Sequence, residues 1–310
     1  EGIICHMPSE EAVYFWKQDG KCWRFTISPA GGLTSESIAD LNIGSYEGRF
    51  IFAAGSKEKQ VLYAGEVDNW RGISLRKYAS GRWQPVPLAL AKSKVYEFFP
   101  DCSNAQKPTA CTLEVGSQLC GCLMLQLFVP RSFSYSYAKV SLVFDPTTQN
   151  FRALQPMLSS KAGNKFVTAV RRASGTILVG ERQHTSSPAS FSALSISNDS
   201  LAITSQQITN RVAADRWESF LLRAAGEFPT SEPILATHKK DTMPSFHKLD
   251  EHGQVISTGS LSIASVGNSL VLPFSNVVYV VTTIQEDRAK KLVTYRGELQ
   301  LPTKGSSKKL

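Results

Sequence analysis

Apolar residues recur along this chain with a period of two, in short runs broken by polar turns, and hardly anywhere with the period of a helix. The pattern is clearest from Gly48 to Pro100. Gly48–Gly55 reads as a strand closed by glycine, and Ser56–Lys59 as a polar turn. Gln60–Val67 is a second strand and Ile73–Tyr78 a third, its apolar residues alternating to one side. Ser80-Gly81 turns the chain into a fourth, Arg82–Val86. Four short strands joined by tight turns over roughly 40 residues are the signature of one propeller blade.

The rest of the chain repeats the theme. Asp19-Gly20 between Ala12–Trp16 and Lys21–Ile27 is a strong hairpin signal, ended by Pro29–Gly32. Ser37–Leu41 reads as a connector and 101–110 as a polar loop. Gln118–Val129 is a long apolar strand of the deep core, and Tyr137–Phe144 and Asn150–Leu154 pair around Asp145–Gln149. Phe166–Val170, Thr176–Val179, Phe191–Ile196 and Leu201–Gln206 form the next set. Trp217–Leu222, Pro233–Thr237, Ser245–Leu249 and Gln254–Gly259 form another. Leu261–Ala264, Ser269–Phe274, Val277–Ile284 and Lys291–Leu299 close the series, and the best helical segment, Val212–Trp217, is short. Six groups of three or four strands, the first partly built, predict an all-β fold, a six-bladed β-propeller over 1–301 followed by a disordered basic tail over 302–310. A pair of β-sandwiches divided near Ser159–Gly163 is the alternative, but no linker there is long enough to favour it.

Length and composition fit this reading. The chain has 310 residues, 42% hydrophobic and 19% charged, which describes a globular protein able to bury a large core. No apolar run reaches the ~18 residues of a transmembrane helix, and the opening residues are not a signal peptide but suit the start of a mature chain. The net charge of +8 is spread over pairs such as Lys57/Lys59, Arg76/Lys77, Arg171/Arg172 and Lys290/Lys291. Such pairs belong on solvated loops, with a weak attraction to acidic glycans or membrane surfaces as the functional reading; no dense basic stripe points to nucleic acid.

All six cysteines fall in the first 122 residues: Cys5, Cys22, Cys102, Cys111, Cys120 and Cys122. The even count suits a secreted disulfide framework, with Cys5–Cys22 and two bridges among the other four. Free buried thiols are the alternative. Cys120-Gly121-Cys122 has no histidine nearby and is not a zinc spacing, and none of the five histidines has a metal partner at a useful interval, so neither metal nor cofactor is expected. The sequon at Asn198 lies in a turn, where glycosylation would be accessible.

Tyr63-Ala64-Gly65-Glu66-Val67, Arg82-Trp83-Gln84-Pro85-Val86 and Glu97-Phe98-Phe99-Pro100 together resemble a segment of the trypanosome trans-sialidase superfamily, with an echo in Val278-Tyr279-Val280 and Arg296-Gly297-Glu298. The resemblance implies a propeller, and in active members a tyrosine–glutamate couple, an arginine triad for the substrate carboxylate and an aspartate acid/base. Arginine suits that carboxylate because its planar fork makes two charge-assisted bonds. This chain departs from the pattern. It has no Arg-Ile-Pro near its start and no Asp box. Arg171 stands where the catalytic glutamate strand should be, Arg182 matches one triad arginine, and Glu218 replaces the nucleophilic tyrosine. The implication is a degenerate, non-catalytic member, and not an enzyme.

Other candidates rest on residue type. Glu66, Asp68, Glu181 and Asp215 are the carboxylates from which a rearranged glycosidase would draw a pair. The five tryptophans read mainly as packing residues. Trp70, in a polar turn, is the best exposed binding aromatic, and Tyr135 and Tyr137 lie in a Ser/Tyr-rich loop that resembles a contact surface. The expectation is an extracellular or cell-surface binding or adhesion protein that recognises a glycoprotein or protein partner, peripheral to a membrane or anchored through a part outside this chain. An active glycoside hydrolase and a structural protein of a flagellar or surface junction are the other readings.

Overall fold

The structure is a computed structural model. It describes residues 2–44, 46–68, 72–88, 103–131, 134–158, 165–171, 175–182, 189–197, 200–212, 218–223, 233–238, 245–249, 255–260, 270–274, 277–286 and 289–298. Twenty-three strands and two short 3-10 turns, with no α-helix, make up the described chain. The first blade is β1 (Gly2–Met7), β2 (Ala12–Lys17), β3 (Cys22–Ile27) and β4 (Leu33–Ile38). The second is β5 (Arg49–Ser56), β6 (Gln60–Asp68), β7 (Gly72–Ala79) and β8 (Arg82–Pro85). The third is β9 (Ser103–Val115), β10 (Gln118–Arg131), β11 (Ser134–Asp145) and β12 (Asn150–Leu158). The fourth is β13 (Lys165–Arg171), β14 (Ile177–Arg182), β15 (Ala189–Ser197) and β16 (Ala202–Val212). The fifth is β17 (Glu218–Arg223), β18 (Pro233–His238), β19 (Ser245–Leu249) and β20 (Val255–Ser260). The sixth shows β21 (Leu270–Pro273), β22 (Val277–Glu286) and β23 (Ala289–Glu298) among the described residues.

Each blade is an antiparallel meander, and the blades stand around an axis: β1 lies against β5, β5 against β9, β9 against β13 and β13 against β17. Where sheets of neighbouring blades touch edge to edge, the joint is slight. Strands β5 and β10 share only the pairs Ser56–Gln118 and Gly55–Leu119, and β12 meets β16 at Gln155–Ala202. The chain is thus a six-bladed β-propeller.

An inner strand of a propeller is covered on both faces, so both phases of its two-residue period are apolar. Strand β5 shows this. Phe50, Phe52 and Ala54 pack with Leu123, Leu125, Val140 and Phe144 of blade three, while Ile51 and Ala53 pack with Tyr14, Trp16 and Cys22 of blade one. Strand β10 divides in the same way, Leu123 and Leu125 toward blade two, Cys120, Cys122 and Met124 toward Ile177, Val179 and Leu194 of blade four. Outer strands lose cover: along β4 only the two end residues are partly buried. The ring closes by packing of blade one on blade six. Val13, with Phe25 and Ile27 at its margin, meets Leu272, Phe274 and Tyr279, and the Tyr279 hydroxyl donates to the Gly31 carbonyl at 2.6 Å.

Several expectations change. Blade one, expected as only partly built, is complete, because Gly2–Met7 is a strand and so is Leu33–Ile38, which takes in the start of the expected connector Ser37–Leu41. Residues expected as a polar loop at 101–110 lie largely in β9, whose pairing to the long β10 imposes extended backbone on a polar sequence. The expected strand at 261–264, most of the helix at 212–217, Asn198 and the tail at 302–310 lie outside the described residues.

The disulfide framework is not formed. Cys5, Cys22, Cys111, Cys120 and Cys122 are free thiols, and Cys102 lies outside the described residues. Cys5 and Cys22 sit on strands separated by β2, two strand spacings or roughly 9–10 Å apart, beyond the reach of a bridge. Cys111 and Cys122 are opposite one another on β9 and β10, inside the apolar layer between blades three and four, and there they act as small packing groups. Burial pushes the Cys5 and Cys22 thiols up to about 12.

Charges also join blades. Glu114, near the end of β9, receives Lys57 from blade two at 2.7 Å and Arg171 from the end of β13 in blade four. Burial alone would raise the Glu114 carboxyl, but hydrogen bonds from Lys57 and Arg171 outweigh it and hold it below its usual value near 4.5. A carboxyl depressed in the fold adds stability above its unfolded value and loses it as pH falls through its folded value. Glu114→Gln is therefore expected to melt lower than the parent at pH 7 and to show a flatter loss of melting temperature below about pH 4.5; equal slopes would contradict this. A second expectation concerns Gly121, whose Cα carries the ring of Phe52 from blade two, where an added Cβ would overlap it. Gly121→Ala should cost about 1–3 kcal/mol in denaturant unfolding, and Gly81→Ala, in open space at a turn, should cost less despite its positive φ.

Candidate functional site

One cross-strand row runs through all four strands of blade one: Cys5 opposite Tyr14, Tyr14 opposite Arg24, Arg24 opposite Glu36. Residues in one row of an antiparallel sheet project from the same face. Cys5 and Tyr14 belong to the apolar layer against blade two, so Arg24 and Glu36 face the same cleft farther out. Cover falls along the row: Tyr14 is buried, the Arg24 side chain is 30% exposed and that of Glu36 58%. The next row on the same face ends in Thr26 and Thr34, whose hydroxyls are 2.7 Å apart and exposed.

The polar groups are tied to one another. Arg24 donates through Nη1 to Glu36 at 2.8 Å and through Nη2 to Glu10 at 3.3 Å. Tyr14 donates its hydroxyl to the same Glu10 carboxylate at 2.8 Å. Glu10 stands on the turn Pro8–Glu10 between β1 and β2, and that turn is latched to blade two by reciprocal hydrogen bonds, Ser9 N to Gln60 Oε1 and Gln60 N to Ser9 Oγ. Bonding to Glu36 pushes the Arg24 guanidinium further up. Burial, then Glu10, push the Tyr14 phenol well above its ordinary value.

Blade two supplies the opposite wall. Tyr78 near the end of β7 and Trp83 at the start of β8 are a cross-strand pair with ring centroids 5.2 Å apart, half-buried against the layer that holds Tyr14. Trp83 Nε1 donates to the Ala39 carbonyl at 2.8 Å, which fixes the indole against the segment that follows β4. Burial raises the Tyr78 phenol, and the charge of Glu36 adds to it. The cleft therefore holds a fork of N–H donors, two carboxylate acceptors and exposed hydroxyls on one wall, with two aromatic rings on the other. Side-by-side donors and acceptors opposite flat apolar rings suit a compact polyhydroxy ligand with one apolar face.

Of the candidate binding residues and carboxylates singled out in the sequence, Arg171 and Glu181 are described and are tied up elsewhere. Arg171 is 3% exposed and bound to Glu114, holding blades together. Glu181 forms an ion pair at 2.6 Å with Lys139, which is fully buried between blades three and four. Arg182 and Glu218 end β14 and begin β17; their side chains, with Trp70 and Asp215, lie outside the described residues. Tyr135 and Tyr137 lie in strand β11, opposite Pro130 and Phe128, and not in a loop. Among the described residues no group of three or more His, Cys, Asp or Glu is placed to hold a metal. The residues that do converge carry one signal in the sequence: Arg24-x-Thr26 and Thr34-x-Glu36 mirror one another across the Pro29–Gly32 turn, which puts four polar side chains on one face once Leu33–Ile38 is read as a strand.

No protein-family model and no curated protein matches the sequence. Solved structures do match in fold. A point mutant of Aleuria aurantia lectin in complex with Fucα1-6GlcNAc superposes with a TM-score of 0.55 at 12% identity, over 94% of this chain and 93% of that one. The Aleuria aurantia lectin structure described as a six-bladed β-propeller with a novel fucose recognition mode gives 0.56 at 12% identity, over 92% and 86%. SapL1 lectin in complex with α-methyl fucoside gives 0.52 at 14% identity, over 97% and 96%. At these identities the likeness establishes the architecture: this chain has the six-bladed propeller fold seen in those lectins.

Proposed function

We propose that the protein is a non-catalytic carbohydrate-binding protein, and that the cleft between blades one and two takes a monosaccharide unit of a glycan. The observation that carries this reading is the row Tyr14–Arg24–Glu36 facing Tyr78 and Trp83. A pyranose presents hydroxyls that accept from a guanidinium and donate to a carboxylate, and a C–H face that packs on an aromatic ring. The fold neighbours bind fucose, a sugar whose methyl group enlarges its apolar face, so fucosides are the first ligands to test. Presentation on glycoproteins at a cell surface, as the trans-sialidase resemblance implies, is the setting in which such binding would serve adhesion.

Sialidase-type catalysis is disfavoured by the same geometry. The one tyrosine–glutamate pair described, Tyr14 with Glu10, has its phenol buried and its proton held more tightly than usual. A nucleophile needs the opposite.

Titration calorimetry with α-methyl fucoside and a panel of neutral methyl glycosides is expected to give saturable binding that survives 0.5 M salt. Arg24→Ala should weaken it roughly tenfold or more, while Leu292→Ser, at an exposed site on β23, leaves it unchanged. Absence of binding by every neutral glycoside would refute the proposal. A fluorogenic sialoside should show no turnover; turnover lost on Arg182→Ala would restore the glycosidase reading.

A further inference from the structure

We infer that Glu10 is a specificity-determining residue that makes this cleft select neutral sugars and reject carboxylate-bearing ones such as sialic acid. The inference rests on the carbohydrate-binding reading and adds to it the charge of the ligand. An arginine in a sugar site would ordinarily be the anchor for a sugar carboxylate, and the site would then be expected to favour sialic acid. Here that anchor is already committed. Arg24 spends Nη1 on Glu36 and Nη2 on Glu10, so the two nitrogens that would form a bidentate clamp each face a resident carboxylate. One positive charge against two negative ones leaves this wall at −1, although the whole chain carries +8.

The second carboxylate is held in place. Tyr14 donates to it from inside the apolar layer, and the Ser9–Gln60 latch fixes the turn that carries it. Glu10 therefore does not swing away when a ligand enters. On the facing wall Arg76 shares a strand with Tyr78, two positions before it in the row of Ala64 and Pro85, and makes no ion pair with Glu10 or Glu36. A ligand carboxylate would meet like charge in a half-desolvated cleft with its natural partner occupied, which is how specificity is built against a competitor as well as for a ligand. A neutral hydroxyl meets no such obstacle, because it donates to Glu10 or Glu36 and needs only a single N–H that Arg24 does not spend on them.

The test compares the methyl glycosides of fucose, galactose and N-acetylneuraminic acid on the full chain, by calorimetry, for the parent, Glu10→Gln and Glu10→Ala. The parent should bind at least one neutral glycoside and bind the sialoside measurably more weakly. Glu10→Gln keeps the shape and the hydrogen bond to Tyr14 but removes the charge, and should narrow the neutral-to-sialoside affinity ratio by roughly two- to fivefold at low salt, with less effect at 0.5 M salt. Glu10→Ala should narrow it in the same direction, which separates charge from shape. Equal affinity of the parent for the sialoside and a neutral sugar, or an unchanged ratio in both variants, would overturn the inference while leaving carbohydrate binding intact. Absence of any neutral-sugar binding in the parent would remove both.

Discussion

Contact between neighbouring blades is the interaction on which everything else here depends. Among the described residues the apolar layers lie between blades and not within one. The second covers one face with blade one and the other with blade three, and the third does so with blades two and four. A row of such sheets would leave two bare ends. The ring removes them by packing Val13, Phe25 and Ile27 on Leu272, Phe274 and Tyr279, residues from opposite ends of the chain. Among the described residues edge pairing between blades is confined to one or two residue pairs per joint, so side-chain packing, with polar stitches such as Lys57–Glu114–Arg171, supplies the lateral cohesion there.

Radial packing also explains why a site forms between blades. Twisted sheets that touch closely at the inner strands splay apart toward their outer strands. The same face that is dry at Tyr14 is half-open at Arg24 and open at Glu36. A polar row that crosses from the closed to the open part of such a cleft has a rigid, desolvated base and a wet mouth. The buried Tyr14 anchors the base, its hydroxyl holding Glu10 and Glu10 in turn Arg24, and a ligand could exchange with water at the mouth. Tyr78 and Trp83 face this mouth because they flank the tight Ser80-Gly81 turn at the rim of blade two.

The architecture was legible because inner strands are covered on both sides. Stretches such as Phe50–Ala54 and Leu119–Leu127 are apolar in both phases and bounded by turns, and those signals gave both the strands and their grouping. Strands that pair at an edge or carry polar side chains were not legible: β4 is nearly all exposed, β1 has no turn before it, and β9 is held extended by β10 more than by its own composition. The site went unread for the same reason. Arg24 and Glu36 are twelve positions apart with nothing between them that marks a motif, and only the register across a strand read as a connector brings them together. Trp83 was assigned to packing, and it does pack, its ring beside Tyr78 and its Nε1 donating to the Ala39 carbonyl. The even cysteine count misled because three of the six thiols, Cys111, Cys120 and Cys122, serve as small residues in the crowded layer between blades three and four, where period-two placement puts sulfur in apolar surroundings and even the facing pair Cys111 and Cys122 stays unbridged.

The claim that the cleft of blades one and two holds a sugar face against aromatic rings is tested most directly by saturation-transfer NMR with α-methyl fucoside. Saturation of the protein's aromatic protons should reach the C–H protons and methyl group of one side of the sugar, and the effect should collapse in Trp83→Leu while the fold is retained. Saturation spread evenly over the sugar, or undiminished in that variant, would contradict it.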